Sequence, residues 1–408
     1  MLRTLRRNEW AAICAGALAM VATLPGRTQG LGLITEPLLA SFPVSRVGFA
    51  EINLWATLIG SLACLPAGRL ADRFGPRAVA AVLSALLGAT VLAMGVATAV
   101  TVLAVTVTLT RGLGQSALSV ASLALVGKRF ESRLAVAMGM FALLVAVGFI
   151  AAFPTLGSAI LSRGWRPAWS ALGWALIVAA PVLWLLGRGA NEDQAADGPA
   201  AGGLTLGEAL RGPAFWTFAV ASSLFGLVYS GIALFNQSIL EQRGFEAGVY
   251  HQVLVISTMV GLVANFAGGW AATRWPIQRL MGIGMAILAA ALVALPLVAT
   301  YSHVAAYGVA MGAAGGIVTV VFFTVWRQAY GGEHLGRIQG AAQMMTVLAS
   351  AVGPLLLART LERTGSYDSI FYLLAAAVAL AGVGSWLVAL PARPVANGVE
   401  RLAPALES

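Results

Sequence analysis

The chain has 408 residues, of which 59% are hydrophobic and only 10% are charged, and its formal net charge is +9. Because a soluble domain carries about 25% charged residues, this composition excludes an ordinary soluble protein and indicates a chain solvated mostly by lipid. The basic residues are scattered among turns and form no patch, which excludes nucleic acid as a partner.

Segments long enough to cross a bilayer, which takes about 20 apolar residues, recur along the whole sequence. They predict an all-α membrane protein with twelve transmembrane helices, at 10–38, 48–67, 78–98, 101–126, 133–161, 166–187, 214–240, 248–272, 278–300, 303–326, 336–358 and 368–390. The longest polar stretch, 188–211, separates the sixth segment from the seventh. It predicts a flexible linker followed by a short amphipathic helix at the membrane surface.

The linker divides the sequence into two halves with weakly similar features. We therefore expect a six-helix bundle at 1–187, a cytoplasmic linker at 188–213, a second six-helix bundle at 214–392 and a cytoplasmic tail at 393–408. Basic residues concentrate in the loops on the side of both termini, which places that side in the cytoplasm. We expect a monomeric, multi-pass protein of a bacterial inner (plasma) membrane, with the lipid bilayer as its surroundings.

A short, charge-dense segment, Gly68-Arg69-Leu70-Ala71-Asp72-Arg73-Phe74-Gly75-Pro76-Arg77, separates the second and third segments. We expect a turn there, because one apolar stretch ends at Pro66 and the next begins at Ala78. The pattern resembles the signature loop of the major facilitator superfamily of secondary transporters. That resemblance implies two pseudo-symmetric bundles around a central cavity that is lined mainly by spans 1, 4, 7 and 10. It also implies a gating role for four residues of the loop: Gly68, Asp72, Arg73 and Arg77.

Further motifs extend the resemblance over nearly the whole chain. Segment 111–116 is similar to the buried-arginine motif of span 4, although Gln115 replaces the usual glycine, and 148–157 is similar to the proline-glycine motif of span 5. In the second half, 213–216 and 330–340 resemble the branch that contains oxalate:formate antiporters and monocarboxylate porters.

Arg27 is the first candidate for substrate binding, with Gln29 beside it. It follows Pro25-Gly26 about 17 residues into span 1, which at about 1.5 Å per residue places it near or just beyond the bilayer midplane. A charge at that depth costs several kcal/mol unless it is paired or hydrated, so it indicates a functional site. We expect Pro25 and Gly26 to unwind the helix locally. The structural alternative is that Arg27 extends outward or caps backbone carbonyls.

Other polar residues within the spans are candidates for the same site. Arg111 and Gln115 share a helical face of span 4, where we expect them to assist binding. The structural alternative for Arg111 is that it holds span 4 against span 1 through carbonyl hydrogen bonds. Tyr229 and Asn236 share a face of span 7, with Gln237 adjacent. These three either orient a substrate or form interhelical hydrogen bonds.

His251, near the outer end of span 8, is the best candidate for proton coupling, although an interfacial histidine is usually only solvated. No predicted span has an acidic residue in its middle third, so Arg27 and Arg111 have no evident carboxylate partner. A substrate that brings its own negative charge completes such a site.

These observations predict a transporter of a small organic anion, a mono- or dicarboxylate, that works by alternating access. Efflux of an amphiphilic compound through the same cavity stays open as an alternative, and a membrane receptor or sensor is the less favoured one. The sequence has no phosphate loop, no metal-ligand spacing and no intramembrane acid–base pair. We therefore expect no enzyme activity, no cofactor and no metal.

Overall fold

The computed structural model describes residues 7–127, 134–186, 204–331 and 335–391, and these residues are almost entirely helical. In the described part of the first half the α-helices are α1 Arg7–Ala22, α2 Thr28–Gly32, α3 Thr35–Ser41, α4 Arg46–Ser61, α5 Cys64–Phe74, α6 Pro76–Gly95, α7 Val100–Thr110, α8 Ser119–Gly127, α9 Leu134–Arg163 and α10 Trp165–Leu186.

The second half begins after a short linker helix. Helix α11 is Leu206–Arg211, and it is followed by α12 Pro213–Glu241, α13 Ala247–Ala272, α14 Ile277–Ala294, α15 Tyr301–Tyr330, α16 Leu335–Thr364 and α17 Asp368–Leu387. Thr205 and Glu208 form a capping box that starts α11, which confirms a short helix after the linker. Most of the linker (188–203) and the tail predicted at 393–408 lie outside the described residues.

Span 1 is broken in the middle. A 3₁₀ turn, Leu24–Gly26, separates α1 from α2, and Arg27 at the junction has an extended backbone (φ −85°, ψ 153°). Pro25 lacks the N–H that a continuous helix needs, so the interruption predicted at Pro25-Gly26 is confirmed.

The turn predicted at 68–77 is wrong. Helix α5 runs through most of the signature segment to Phe74, and α6 starts at Pro76, so that Gly75 alone forms the turn. Gly75 has φ 81°, a left-handed conformation that ends a helix at little cost only for glycine. The charged residues continue the helix because Arg69 and Arg73 extend from its exposed face.

Ten of the described helical segments are long and apolar enough to span a membrane. Spans 2 and 4 are not among the ten because each is divided. Span 2 consists of α4 and α5, and span 4 consists of α7, a π-helix at Arg111–Leu118, and α8. The π-helix contains Gly112 and Gly114, which are poor α-helix formers. The predicted twelve helices are consistent with this architecture.

The two bundles contact each other mainly through three helix pairs: α4 with α16, α9 with α13, and α2 with α12. One end of the molecule, which we call the sealed end, carries the connections at 42–45, 164, 242–246 and 365–367. The other end, which we call the open end, carries the connections at 75, 273–276 and 331. At the sealed end Arg359 of α16 donates to Glu51 of α4 (Nη2–Oε1 3.1 Å), and the guanidinium of Arg46 lies 5.2 Å from the ring centroid of Phe235.

Candidate functional site

A cavity of about 290 Å³ lies between the two bundles. Its lining comes from the broken part of span 1 and from α9, α12, α13 and α15. The lining includes polar residues from both bundles, which are Arg27, Gln29, Tyr229, Ser257, Thr258, Asn265 and Thr319. Arg27 carries the only formal charge among the described lining residues.

The guanidinium of Arg27 is partly held by its own span. Its Nε donates to Thr23 Oγ1 (2.6 Å) and its Nη2 lies 2.7 Å from the sulfur of Met20, while its Cζ is 5.5 Å from the ring centroid of Phe149. Among the described residues, Nη1 has no hydrogen-bond partner. Arg27 therefore lines the cavity with a guanidinium nitrogen that has no described partner, and it lies at the break in span 1.

Arg111 occupies a different place. It is only 1% exposed, and it does not belong to the described lining of the cavity. Its Nη1 lies 3.0 Å from the carbonyl oxygen of Gly26, 3.0 Å from Thr28 Oγ1 and 2.7 Å from Gln115 Oε1. Its Nη2 donates to Asn53 Oδ1. The contacts to Gly26 and Thr28 are of the kind expected from the structural alternative for Arg111, whereas Gln115 contacts Arg111 within span 4.

Two tyrosines connect the bundles beside the cavity. Gln29 donates from Nε2 to the hydroxyl of Tyr229 on α12 (3.2 Å). The hydroxyl of Tyr250 on α13 lies 3.1 Å from the carbonyl oxygen of Ala233 and 3.4 Å from that of Gln29. The structure therefore brings Arg27, Gln29 and Tyr229 together at one site.

The remaining candidates of the second half lie apart from this cavity. Asn236 is 5% exposed and accepts a hydrogen bond from Tyr307 Oη (3.5 Å), and Gln237 donates to Glu241 (2.8 Å). The ring of His251 packs against Gly157 of α9, so close that a Cβ at Gly157 would lie 2.5 Å from Nδ1. None of these residues belongs to the described lining, and proton coupling by His251 stays a prediction.

The predicted gating residues lie towards the open end. Arg73 lies over the ring of Phe74, and Arg77 lies over Trp184 of α10 with Cζ 4.2 Å from the ring centroid. Gly68 has no described atom within 4 Å of where a Cβ would be. The side chain of Asp72 lies outside the described part of the chain.

Several lining residues were not found by sequence reasoning. They are Phe149 and Phe153 on α9, the hydroxyl residues Ser257, Thr258 and Thr319, and a set of glycines, Gly261, Gly312, Gly315 and Gly316. An apolar aromatic residue gives no signal within an apolar span. The repeat of glycines in α15 does give one, because small residues let membrane helices approach closely.

Comparison with known proteins decides the family. The model of the Major Facilitator Superfamily matches residues 11–307 and, in a second overlapping match, residues 233–407. The chain belongs to the Major Facilitator Superfamily. It is therefore a multi-pass membrane transporter and not an enzyme.

Relatives and solved structures agree with this membership. Monocarboxylate transporter 13 of Bos taurus and that of Rattus norvegicus are each 26% identical to the chain over 392 residues, which cover 93% of this chain and 88% of each relative. A crystal structure of a bacterial homologue of the human lysosomal transporter Spinster, inward-facing and unoccupied, superposes with a TM-score of 0.71 at 16% identity, over 94% of both chains. The occupied, inward-facing form of that homologue gives a TM-score of 0.69 at 15% identity, over 94% of this chain and 93% of the other.

Proposed function

We propose that this major facilitator protein transports a small organic anion, a mono- or dicarboxylate, by alternating access. The observation that carries the proposal is Arg27, a charged side chain in the cavity between the bundles with guanidinium donors that have no described protein partner. In this proposal Arg27 binds the carboxylate, and Gln29 and Tyr229 orient it.

The charge of the lining supports an anion. A guanidinium in a site with few water molecules is stabilised most by a bound carboxylate, which accepts charge-assisted hydrogen bonds from it. None of the described lining residues is acidic, so none supplies that negative charge. A cationic substrate would be repelled by Arg27. The name of the curated relatives, monocarboxylate transporter, supports the same chemistry at 26% identity.

The distribution of contacts supports alternating access. At the sealed end the bundles contact each other through α4–α16 and α9–α13, whereas glycines nearer the open end of the same four spans, span 2 continuing from α4 into α5, have no described neighbour within 4 Å of a Cβ position. These glycines are Gly68, Gly139, Gly269 and Gly340. Rocking the bundles about the cavity would open the sealed end and bring these surfaces together.

The orientation follows from the distribution of basic residues. The open end carries the connections that the positive-inside rule assigns to the cytoplasm, together with the start of α1 and the end of α17. We therefore propose that the structure is the inward-open state. The described lining combines residues of both bundles, so we propose that a single chain with its two bundles, 1–187 and 214–392, is the transporting unit.

The test is counterflow in proteoliposomes with labelled mono- and dicarboxylates and their uncharged amides. We expect saturable exchange of carboxylates, no exchange of amides, and at least a tenfold loss of affinity in Arg27→Gln, since a hydrogen bond to a charged group is worth about 1.5–3 kcal/mol. Arg163→Gln is the matched control, because Arg163 is an exposed residue at the sealed end of α9.

Unchanged affinity in folded Arg27→Gln protein would contradict the proposed binding site. Absence of carboxylate exchange by folded native protein would contradict the anion proposal itself. In that case uptake of amphiphilic compounds is the next measurement, because the alternative of amphiphile efflux uses the same cavity.

A further inference from the structure

Aromatic side chains from both bundles line the cavity in stacked pairs. Phe149 and Phe153 are one turn apart on α9, with ring centroids 5.4 Å apart and an interplanar angle of 13°. Phe225 and Tyr229 are one turn apart on α12, with centroids 5.5 Å apart and an angle of 19°. Each bundle thus presents a pair of nearly parallel rings to the same cavity.

We infer that the transported anion is an aromatic carboxylate, a planar ring that bears its carboxylate directly or through one carbon. This inference rests on the proposed anion transport and narrows its substrate class. Aromatic rings attract one another in offset-stacked and edge-to-face arrangements, beyond the effect of the apolar area that they bury. The two pairs of rings supply such partners from both bundles.

The rest of the wall suits a flat molecule. Four glycines of α13 and α15 contribute only backbone to the lining, and they are Gly261, Gly312, Gly315 and Gly316. Gly312 and Gly316 bring the two helices into direct contact, because a Cβ at either position would lie 2.5 Å from a backbone oxygen of α13. A Cβ at Gly315 would lie 3.6 Å from Cζ of Phe225, so this smooth surface adjoins one of the rings.

The guanidinium of Arg27 lies next to the aromatic pairs. The Cζ atom of Arg27 is 5.5 Å from the centroid of Phe149, and Gln29 is hydrogen-bonded to Tyr229, which belongs to the other aromatic pair. A carboxylate bound to Arg27 therefore has aromatic partners for its ring immediately beside it. A longer spacer between ring and carboxylate would move the ring away from Phe149.

The size of the cavity favours an aromatic carboxylate over the smallest carboxylates. Its volume of about 290 Å³ is roughly ten times the ~30 Å³ that a water molecule occupies in the liquid. An anion of the size of formate or acetate would leave most of this volume to water. A ring with one carboxylate fills much more of it and buries its apolar faces.

The experiment compares competitors of labelled benzoate in proteoliposome counterflow with native protein. Benzoate and cyclohexanecarboxylate have the same charge and similar size, but only benzoate is planar and aromatic. We expect benzoate to compete about fivefold better, the factor that one aromatic contact contributes. Acetate should compete more weakly than either, and benzamide, which lacks the charge, should not compete.

The variant Phe225→Leu removes one ring without touching Arg27. We expect it to weaken benzoate binding about fivefold while the affinity for cyclohexanecarboxylate changes little. Phe323→Leu is the matched control, because Phe323 is 60% exposed and does not belong to the described lining. If Phe225→Leu does not fold, Phe153→Leu makes the same test from the other bundle.

The outcomes separate the two proposals. Equal competition by benzoate and cyclohexanecarboxylate, or transport of acetate with no competition by benzoate, would overturn the aromatic inference and leave anion transport standing. Failure of every carboxylate to exchange through folded protein would overturn both. The ratio of the two competitors is measured in native protein, so this test does not depend on how well any variant folds.

Discussion

The guanidinium of Arg111 donates from Nη1 to the carbonyl oxygen of Gly26, 3.0 Å away, and so connects the π-helix of span 4 to the break in span 1. The contact is close on both sides. A Cβ at Gly26 would lie 2.1 Å from the carbonyl oxygen of Thr110, the last residue of α7. Gly114 of the π-helix also packs against Gly26. Since Arg27 follows Gly26 directly, this contact of Arg111 helps to hold the backbone beside Arg27 in place, although Arg111 does not belong to the described lining of the cavity.

The first prediction concerns this support. Arg111→Gln removes the donors to Gly26, Thr28 and Asn53 and leaves buried acceptors unpaired, each at a cost of about 1–3 kcal/mol. We expect a lower melting temperature in detergent, and weaker anion binding in the protein that remains folded. Thermal unfolding and counterflow measure the two effects. The exposed Arg163→Gln should leave both unchanged, and a native-like melting temperature for Arg111→Gln would show that this network is dispensable.

A second prediction concerns the hydrogen bond between Gln29 and Tyr229, which crosses from one bundle to the other. Tyr229→Phe keeps the ring and removes the hydroxyl, so we expect a several-fold loss of affinity, equivalent to about 0.5–1.5 kcal/mol. A double-mutant cycle with Gln29→Leu should show coupling of similar size. Purely additive effects would mean that the two side chains act independently. Tyr372→Phe, on the exposed face of α17, is the matched control.

A third prediction concerns the packing of His251 against Gly157 at the sealed end. A Cβ at Gly157 would lie 2.5 Å from Nδ1 of His251, so Gly157→Ala must displace the imidazole ring or move α9 away from α13. We expect the sealed end to open more often, which single cysteines near that end would report as faster labelling from the outside. Gly248→Ala is the matched control, since a Cβ there would meet Leu161 at an ordinary 3.8 Å. Equal labelling of the two variants would contradict this role for the contact.

A fourth prediction concerns closure of the open end. Gly139 lies 18 residues from Gly157 along α9, and Gly269 lies 18 residues from His251 along α13, so each is about 27 Å from the contact at the sealed end. We expect cysteines at 139 and 269 to form a disulfide in protein whose Cys14 and Cys64 have been replaced by alanine. The bond should form during transport and then arrest it.

The control for this cross-link is a cysteine pair at 139 and 263, because Val263 is an exposed residue of α13, the helix that contains Gly269. Cross-linking of 139 to 263 at the same rate as 139 to 269 would contradict the proposed approach of the two glycines. No cross-link at 139–269 in a protein that still transports would also contradict it.

Much of the architecture follows from local sequence signals. Hydropathy predicts the twelve spans, and the helix that includes Pro25 and Gly26 breaks where those residues predict it. The predicted helix ends agree less well with the structure where charged residues continue a helix. An example is α5, which extends through Arg69 and Arg73 to Phe74. A run of charges therefore marks the membrane boundary more reliably than it marks the end of a helix, since long basic side chains reach the aqueous surface from a helix that continues.

The sequence by itself determined the family and the number of spans, and it identified Arg27 as a candidate, because the cost of a charge in lipid depends on depth, which can be counted along the chain. Only the tertiary structure separated Arg27 from Arg111: one lines the cavity and the other binds the backbone of span 1. It also placed Phe149, Phe153 and Phe225 around the candidate anion site. The rotation of each helix is set by its packing against neighbours, and no local pattern in an apolar span encodes that rotation.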